Sequence, residues 1–156
     1  MKLLVTGVKG QLGYDVVKEA EKRGVEAVGV DIDEMDITDA KQVHEVITKG
    51  GYDAVVHCAA WTAVDKAEDM EEACRKVNKE GTENIAQVCE ALDIPIMYFS
   101  TDYVFNGQGS EPWKEYDKRA PLNVYGQTKY CLLYTSNIDH DIMQIITIQG
   151  KINLCL

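Results

Sequence analysis

The sequence lacks the roughly 20-residue apolar run that a membrane-spanning helix needs. Its apolar start is also short, because Gly7 follows only six residues behind Met1, whereas a secretory signal requires a longer hydrophobic stretch. These two absences argue against a membrane-bound or secreted protein, and we expect a cytoplasmic location.

Basic residues are scarce relative to acidic ones. There are 16 Lys and Arg against 26 Asp and Glu, which gives a formal net charge of −10. Nucleic acids and anionic membranes attract clustered Lys and Arg, so this balance argues against both as partners. A phosphate-bearing small ligand remains compatible with the charge, because backbone N–H groups at a helix N-terminus bind phosphate directly.

Paired cysteine motifs are missing as well. The five cysteines are an odd number and include no C-x-x-C spacing, which argues against a disulfide framework and against a zinc site. The pattern is typical of reduced, mostly buried thiols in a cytosolic protein. His57 and Cys58 have no companion ligands at metal spacing, so we interpret both as core residues and predict no metal site.

The sequence does contain a regular alternation of apolar runs and amphipathic segments. The predicted strands are 2–6, 25–30, 53–58 and 94–100. The predicted helices are 11–23, 39–49 (capped by Thr38 or Asp39) and 70–92, with another beginning near Asn123 or Tyr125. This alternation predicts one α/β domain in which helices cover both faces of a doubly wound parallel sheet. The long segment from Asp102 to Val124 is interpreted as a functional loop.

The segment between the first strand and the first helix has glycines at positions 7, 10 and 13. Glycine permits positive φ angles in a turn and lets a pyrophosphate approach the backbone. The free N–H groups and the positive dipole end of the following helix would face that anion. Because the loop stands between a strand and a helix, we favour a dinucleotide-phosphate loop over glycines that serve only a tight turn.

Asp31 ends the second predicted strand, where a dinucleotide-binding fold places an acid on the adenosine ribose. A carboxylate there favours NAD over NADP by repelling a 2′-phosphate, whereas Lys9 would attract that phosphate. The preference between NADH and NADPH therefore stays open, and Asp31 could instead be a solvated turn residue. Asp36 and Ile37 could bind the adenine, or Asp36 could only start the next helix.

Tyr125 and Lys129 are four residues apart and would share one face of a helix. A tyrosine has a pKa near 10, and a neighbouring ammonium lowers that pKa. Such a tyrosine can donate a proton to a carbonyl group as a hydride arrives there. The Y-x-x-x-K spacing also occurs by chance in many helices, so its meaning depends on the rest of the pattern.

The segment 100–102, Ser-Thr-Asp, follows the fourth predicted strand, at the edge where parallel sheets bind ligands. A hydroxyl group there can hydrogen-bond a substrate carbonyl, although Ser and Thr are also common in turns. Small residues after the third strand would let a cofactor lie close to the sheet. The glycine loop, the hydroxyl group and the Tyr125–Lys129 pair occur together, and this conjunction predicts a nicotinamide-dependent reductase.

Four stretches carry a closer likeness: VTGVKGQLG at 5–13, AAWTAVDKAE at 59–68, STDYVF at 100–105 and APLNVYGQTK at 120–129. Together they resemble the extended short-chain dehydrogenase/reductases and, within these, the dTDP-4-dehydrorhamnose reductase family. The second and third stretches are more specific to that family than the glycine loop. The resemblance covers residues 1 to about 130, which it implies to be a Rossmann-type NAD(P)-binding domain.

The resemblance implies a role for each matched position. Thr101 would hold the sugar carbonyl with Asp102 beside it, Tyr125 would be the general acid, and Lys129 would tune its pKa. The implied cofactor-binding residues are Gly7, Gly10, Gln11, Leu12, Gly13, Asp31, Asp36, Ile37, Ala59, Ala60, Trp61, Thr62, Tyr125 and Lys129. The implied reaction is reduction of dTDP-4-dehydro-L-rhamnose, a nucleotide sugar, by NADH or NADPH. Full-length members would add Mg²⁺ and form a homodimer.

The sequence changes character at Cys131. Residues 131–156 contain three charged residues, Asp139, Asp141 and Lys151, and show no clear period, so no secondary structure is predicted there. Family members continue the catalytic helix and add a C-terminal substrate domain. We therefore expect the domain at 1–130 to be truncated before that substrate domain, and residues 131–156 to be a tail foreign to the family, disordered or produced by a frame shift.

Two alternatives stay open on the sequence. One is a non-catalytic nucleotide-binding regulatory subunit like that of methionine adenosyltransferase, although Thr101, Tyr125 and Lys129 argue against it. The other is a different nucleotide-sugar reductase or epimerase, because the C-terminal part of the family makes much of the sugar site.

Overall fold

The structure is a computed structural model that describes residues 1–108, 111–114, 117–135 and 143–147. Five parallel strands form one sheet in the order β2-β1-β3-β4-β5. The strands are β1 Lys2–Thr6, β2 Glu26–Val30, β3 Ala54–His57, β4 Ile96–Ser100 and β5 Met143–Thr147. The α-helices are α1 Gln11–Lys22, α2 Ala40–Gly50, α3 Val64–Asp69, α4 Glu71–Arg75, α5 Gly81–Leu92 and α6 Val124–Thr135. Within the described ranges, no helix is both long and apolar enough to cross a membrane.

Alternate residues of β1 supply two separate cores. Leu4 packs into a cluster with Val43 of α2 and Ile85 of α5. Leu3 and Val5 point to the other face of the sheet and join the cluster that contains side chains of α1. Successive side chains of a strand lie on opposite faces, so one central strand anchors helices above and below it. The prediction of a doubly wound parallel sheet of Rossmann type is thereby confirmed.

The ends of the helices follow local signals that the sequence displays. The carboxylate of Asp39 accepts hydrogen bonds from the N–H groups of Lys41 and Gln42 at the start of α2, which is the usual work of an N-cap. Gly51 then ends α2 in the left-handed region at φ +61°, a conformation that glycine adopts without strain. The predicted start and end of this helix are therefore confirmed.

The region predicted as one helix over 70–92 is divided in the structure. Met70 separates α3 from α4, and a π-helical turn at Lys76–Glu80 joins α4 to α5. A π turn holds one extra residue, which rotates the preceding segment relative to the following one. The prediction missed α3 because a six-residue helix with Ala67 as its buried residue shows too little periodicity to detect.

No secondary structure is predicted after residue 130, but the structure contains two regular elements there. The last turn of α6 extends to Thr135, and β5 adds to the sheet beside β4, with Ser100 opposite Thr147. The start predicted near Asn123 for the last helix agrees with Val124. The rest of the 131–156 segment lies outside the described residues.

A matched pair of variants on α5 tests the position of the core. Ile85 is fully buried, whereas Leu92 at the end of the same helix is 41% exposed. Ile85→Ala leaves a cavity, so we expect it to lower the free energy of unfolding by about 2–5 kcal/mol. Leu92→Ala should lower it by less than about 1 kcal/mol. Urea denaturation of the two variants measures both values, and equal losses would contradict the assigned packing.

Candidate active site

The glycine loop between β1 and α1 packs against the segment after β3. Gly7 has φ +70°, and a Cβ atom added there would lie 2.7 Å from the backbone N and Cα of Ala59. A Cβ on Gly13 would lie 2.8 Å from the carbonyl carbon of Gly7. Both distances are shorter than a side chain tolerates, so the loop brings bare backbone to the sheet edge.

The N-terminus of α1 is open to an anion. Gly10 is its N-cap, no side chain caps the helix, and its first turn contains no acidic residue. The first N–H groups of a helix have no intrahelical acceptor, and the helix dipole adds positive charge at this end. This combination suits a phosphate group.

A cleft of about 840 Å³ runs along the carboxyl ends of the strands. The residues of the predicted set that line it are Gly7, Gly10, Gln11, Leu12, Gly13, Asp31, Ala59, Ala60, Thr62, Tyr125 and Lys129. A second pocket of about 260 Å³ shares Gly7, Asp31 and Ala59 with the cleft and is also lined by Asp36 and Ile37. The structure therefore brings most of the predicted site residues to one continuous depression.

Three residues of the predicted set do not line either depression. The indole N–H of Trp61 donates to the carbonyl oxygen of Ala63 at 3.0 Å, and the Trp61 side chain packs against the cluster that contains Tyr125. The hydroxyl of Thr101 donates to the carboxylate of Asp102 at 3.0 Å. Ser100, which precedes them at the end of β4, lines the cleft instead.

The first turn of α6 is held from two sides. The side chain of Asn123 accepts the N–H of Gly126 at 2.7 Å, and the N–H of Val124 donates to the carboxylate of Glu68 at 2.8 Å. A Cβ on Gly126 would lie 3.0 Å from the carbonyl carbon of Tyr103. This contact seats α6 closely on the 3₁₀ turn Asp102–Val104, which fixes the position of Tyr125.

Burial governs the acidity of Tyr125. Its side chain is buried, and loss of solvent raises its pKa above the usual value, while a hydrogen bond with Thr101 opposes the rise. The sequence predicts a pKa lowered by Lys129, and the structure differs because desolvation is the larger effect. The phenol therefore retains its proton at neutral pH.

Lys129 is 4% exposed, and its ammonium lies 4.4 Å from the centroid of the Tyr98 ring. Desolvation lowers the pKa of Lys129 to about 8, because a buried ammonium loses hydration that the ring face replaces only in part. The amine consequently changes charge near physiological pH, in the same cleft as the phenol of Tyr125.

Asn78 is a structural residue of the site that the sequence interpretation missed. Its amide donates to the carbonyl oxygen of Trp61 and to the hydroxyl of Thr128, both at 3.1 Å, and its oxygen accepts the N–H of Trp61 at 2.7 Å. Asn78 lies in the π turn and links the segment after β3 to α6. The sequence does offer one signal for this role, because Asn78 is a polar residue on the inward face of the helix predicted over 70–92.

His57 is fully buried between two hydroxyl groups. Its ring nitrogens lie 2.7 Å from the Thr6 oxygen and 3.0 Å from the Thr82 oxygen. Desolvation lowers the pKa of His57 to about 3 and raises the pKa of the Cys58 thiol to about 12. His57 is a core residue as predicted, whereas Cys58 is only partly buried and packs against the edge of the core. Both residues also border the cleft.

The family model described as RmlD substrate binding domain matches residues 1–132. The chain belongs to this family. The resemblance drawn from the sequence is confirmed, since a dTDP-4-dehydrorhamnose reductase of Streptomyces griseus is 40% identical to this RmlD-family chain over 126 residues. That match covers 81% of the chain and 41% of the relative. The chain therefore spans less than half the length of that curated relative.

Solved structures show the same fold for the RmlD-family chain. A dTDP-4-dehydrorhamnose reductase from Clostridium acetobutylicum matches with a TM-score of 0.89 and 34% identity, over 94% of this chain and 52% of the other. A Bacillus anthracis enzyme of the same name, solved in complex with NADP, matches with a TM-score of 0.88 and 32% identity, over 94% of this chain and 53% of the other.

The buried His57 makes stability depend on pH. Its folded-state pKa of about 3 lies below the ordinary value of 6.5, so the unfolded chain binds the extra proton and stability is lost as the pH falls below 6.5. Lowering the pH from 7.5 to 5 should cost about 2 kcal/mol through this residue. Urea denaturation at both values tests it. His57→Gln should flatten this dependence, whereas His44→Gln, at an exposed position, should leave it unchanged.

Burial of the Lys129 ammonium has a cost in stability. The fall of its pKa from 10.5 to about 8 corresponds to about 3 kcal/mol. Lys129→Met should therefore raise the free energy of unfolding at pH 7 by up to about 3 kcal/mol, and the gain should shrink as the pH rises above 8. Lys49→Met, at an exposed ion pair, should change it by less than about 0.5 kcal/mol. Urea denaturation at pH 7 and pH 10 measures the gain, and a gain of the same size at both pH values would contradict the prediction.

Proposed function

We propose that this chain forms the NAD(P)H-binding and proton-donating part of a reductase that acts on the 4-keto group of dTDP-4-dehydro-L-rhamnose. The observation that carries the proposal is that Tyr125, Lys129 and the glycine loop line one cleft. The enzyme names of the Streptomyces, Clostridium and Bacillus relatives support the same reaction. The alternative of a regulatory subunit has no such support.

The residues fit a dinucleotide. Cβ atoms on Gly7 and Gly13 would clash with neighbouring backbone, so the glycines let the loop fold tightly beside Ala59 and leave its backbone bare. The uncapped N–H groups of α1 can then supply hydrogen bonds to a pyrophosphate. We assign the pyrophosphate to Gly10, Gln11 and Leu12. The cofactor, when bound, supplies the hydride.

The remaining cofactor contacts follow the lining of the two pockets. Asp31 lines both and would accept a hydrogen bond from the adenosine ribose, while Asp36 and Ile37 lie in the smaller pocket and would contact the adenine. The nicotinamide half would lie along the segment 59–62, whose Ala59, Ala60 and Thr62 face the cleft. The backbone N–H and carbonyl groups of Trp61 hold this segment in place through hydrogen bonds to the Asn78 side chain.

The proton is assigned to Tyr125. Because burial keeps the phenol protonated, its hydroxyl can donate a proton to the carbonyl oxygen as the hydride adds to the carbonyl carbon. The resulting phenolate would be stabilised by the Lys129 ammonium, which remains mostly charged at pH 7 with a pKa of about 8. In this structure the Thr101 hydroxyl donates to the Asp102 carboxylate, and it would turn its proton from that carboxylate to the carbonyl oxygen when substrate binds.

The other expectations stay predictions. They are a homodimer, a cytoplasmic location, and Mg²⁺ in the full-length family, and no proposed step involves a metal. Among the described residues, no group of three or more His, Cys, Asp and Glu is arranged to hold a metal ion. The nucleotide sugar follows from the family and from the cleft that would receive its keto group beside Tyr125.

Oxidation of NADH or NADPH with the keto sugar, followed at 340 nm, tests the proposed function. Tyr125→Phe removes the proton donor and should lower turnover by about 10²–10⁴-fold, with cofactor affinity within about twofold of the parent protein. Tyr52→Phe removes a hydroxyl remote from the cleft and should leave turnover unchanged.

Unchanged turnover in Tyr125→Phe would refute the role of that phenol. Cofactor binding without any turnover in a longer chain that includes the C-terminal substrate domain would favour the regulatory-subunit alternative. Reduction of a different keto sugar with the same dependence on Tyr125 would keep the chemistry and change the substrate.

A further inference from the structure

The turn after β2 concentrates negative charge beside the cofactor cleft. Asp31, Asp33, Glu34 and Asp36 fall within six consecutive residues. NADH and NADPH differ by the phosphate group on the 2′-oxygen of the adenosine ribose, which a dinucleotide-binding fold places at the end of this strand. The charges of the turn therefore act on the one group that distinguishes the two cofactors.

The carboxylate of Asp31 is fixed by backbone hydrogen bonds. One oxygen accepts the N–H of Lys9 at 2.9 Å, and the other accepts the N–H of Ile32 at 2.9 Å. The N–H of Asp31 in turn donates to the carboxylate of Glu34 at 2.9 Å. A carboxylate held in place at the pocket wall can accept a hydrogen bond from a ribose hydroxyl, whereas it repels a phosphate dianion.

Lys9 is the cation of the glycine loop, and the structure pairs it with a carboxylate. Its ammonium forms an ion pair with Asp33, whose side chain is 70% exposed. The hydrogen bond to Asp33 also raises the pKa of Lys9, so the amine keeps its charge in this pair. The donor that a 2′-phosphate would need is thereby engaged.

Lys76 is the other cation at this end of the site. It lines the smaller pocket from the π turn, together with Asp31 and Asp36. The pocket is lined by this one positive charge and by two carboxylates, so the formal charge of its lining is negative. The charges that line this pocket therefore do not favour a phosphate dianion.

We propose that this chain prefers NADH to NADPH, with Asp31 accepting the ribose hydroxyl and the Lys9–Asp33 ion pair withholding the loop cation from a 2′-phosphate. The inference rests on the proposed function, since it takes the cleft as a dinucleotide site. The Bacillus anthracis relative, by comparison, was solved in complex with NADP.

Fluorescence titration of the purified protein with NADH and with NADPH at low ionic strength tests the preference directly. We expect NADH to bind on the order of 10-fold more tightly, because the phosphate meets a fixed carboxylate at short range. High salt should reduce the difference, since it screens exposed charges. Equal or tighter binding of NADPH would overturn the proposal.

Asp33→Asn tests the ion pair. Freeing Lys9 should tighten NADPH binding by roughly 3- to 5-fold, the range expected for one exposed charge pair, and should leave NADH binding within about twofold. Glu45→Gln is the matched control, because it removes the carboxylate of an equally exposed pair with Lys49 and lies outside both pockets. It should change neither affinity.

Lys9→Met in the Asp33→Asn background identifies the donor. The gain in NADPH affinity should disappear in this double variant. A gain that persists, or one that Glu45→Gln reproduces, would overturn the role of the ion pair. If the parent protein binds neither cofactor, the proposed function itself fails and this inference falls with it, whereas tight binding of NADPH alone would leave the proposed function standing.

Discussion

The contact between the glycine loop and the segment after β3 is the constraint on which the rest of the site depends. Gly7 reaches Ala59 so closely that only a hydrogen atom fits between them. The Thr6 hydroxyl strengthens the contact by accepting the N–H of Ala59 at 3.1 Å and by bonding to His57. With the ends of β1 and β3 held together, the bare backbone of the loop faces the space that α6 closes from the other side.

One physical cause, loss of solvent, sets the chemistry of that space. It raises the pKa of Tyr125 and lowers the pKa of Lys129, so an acid stays protonated beside an amine whose charge is easily lost. Opposite shifts of two titratable groups in one cleft are typical of a catalytic site. The same burial makes Lys129 unfavourable for folding, which places function and stability in opposition at this residue.

The parts of the fold that the sequence predicts are those with local causes. The cap at Asp39 and the left-handed Gly51 act within a few residues, and their predicted effects are confirmed. Gly7 has the positive φ expected of a tight turn, whereas phosphate binding by the glycine loop stays a prediction. The bond from Asn78 to Thr128 spans 50 residues, and the contact of Lys129 with Tyr98 depends on how α6 lies over β4. Neither follows from spacing along the chain. The burial that raises the pKa of Tyr125 also depends on tertiary packing, and for this reason the Tyr125–Lys129 spacing alone predicts a fall in that pKa.

The number of residues in the π turn at Lys76–Glu80 determines how α4 is rotated relative to α5, and therefore which side chains line the site. Loss of one residue there would restore a continuous α-helix and rotate α4 against α5 by about 100°. Ala73 and Val77 would then leave the wall of the smaller pocket, where they now lie, and Val77 would also leave the core cluster around Ile85 against which it packs. A single-residue deletion in this turn would thus disturb both the core and the cofactor pocket, so alignments of related chains should preserve its length more strictly than its sequence.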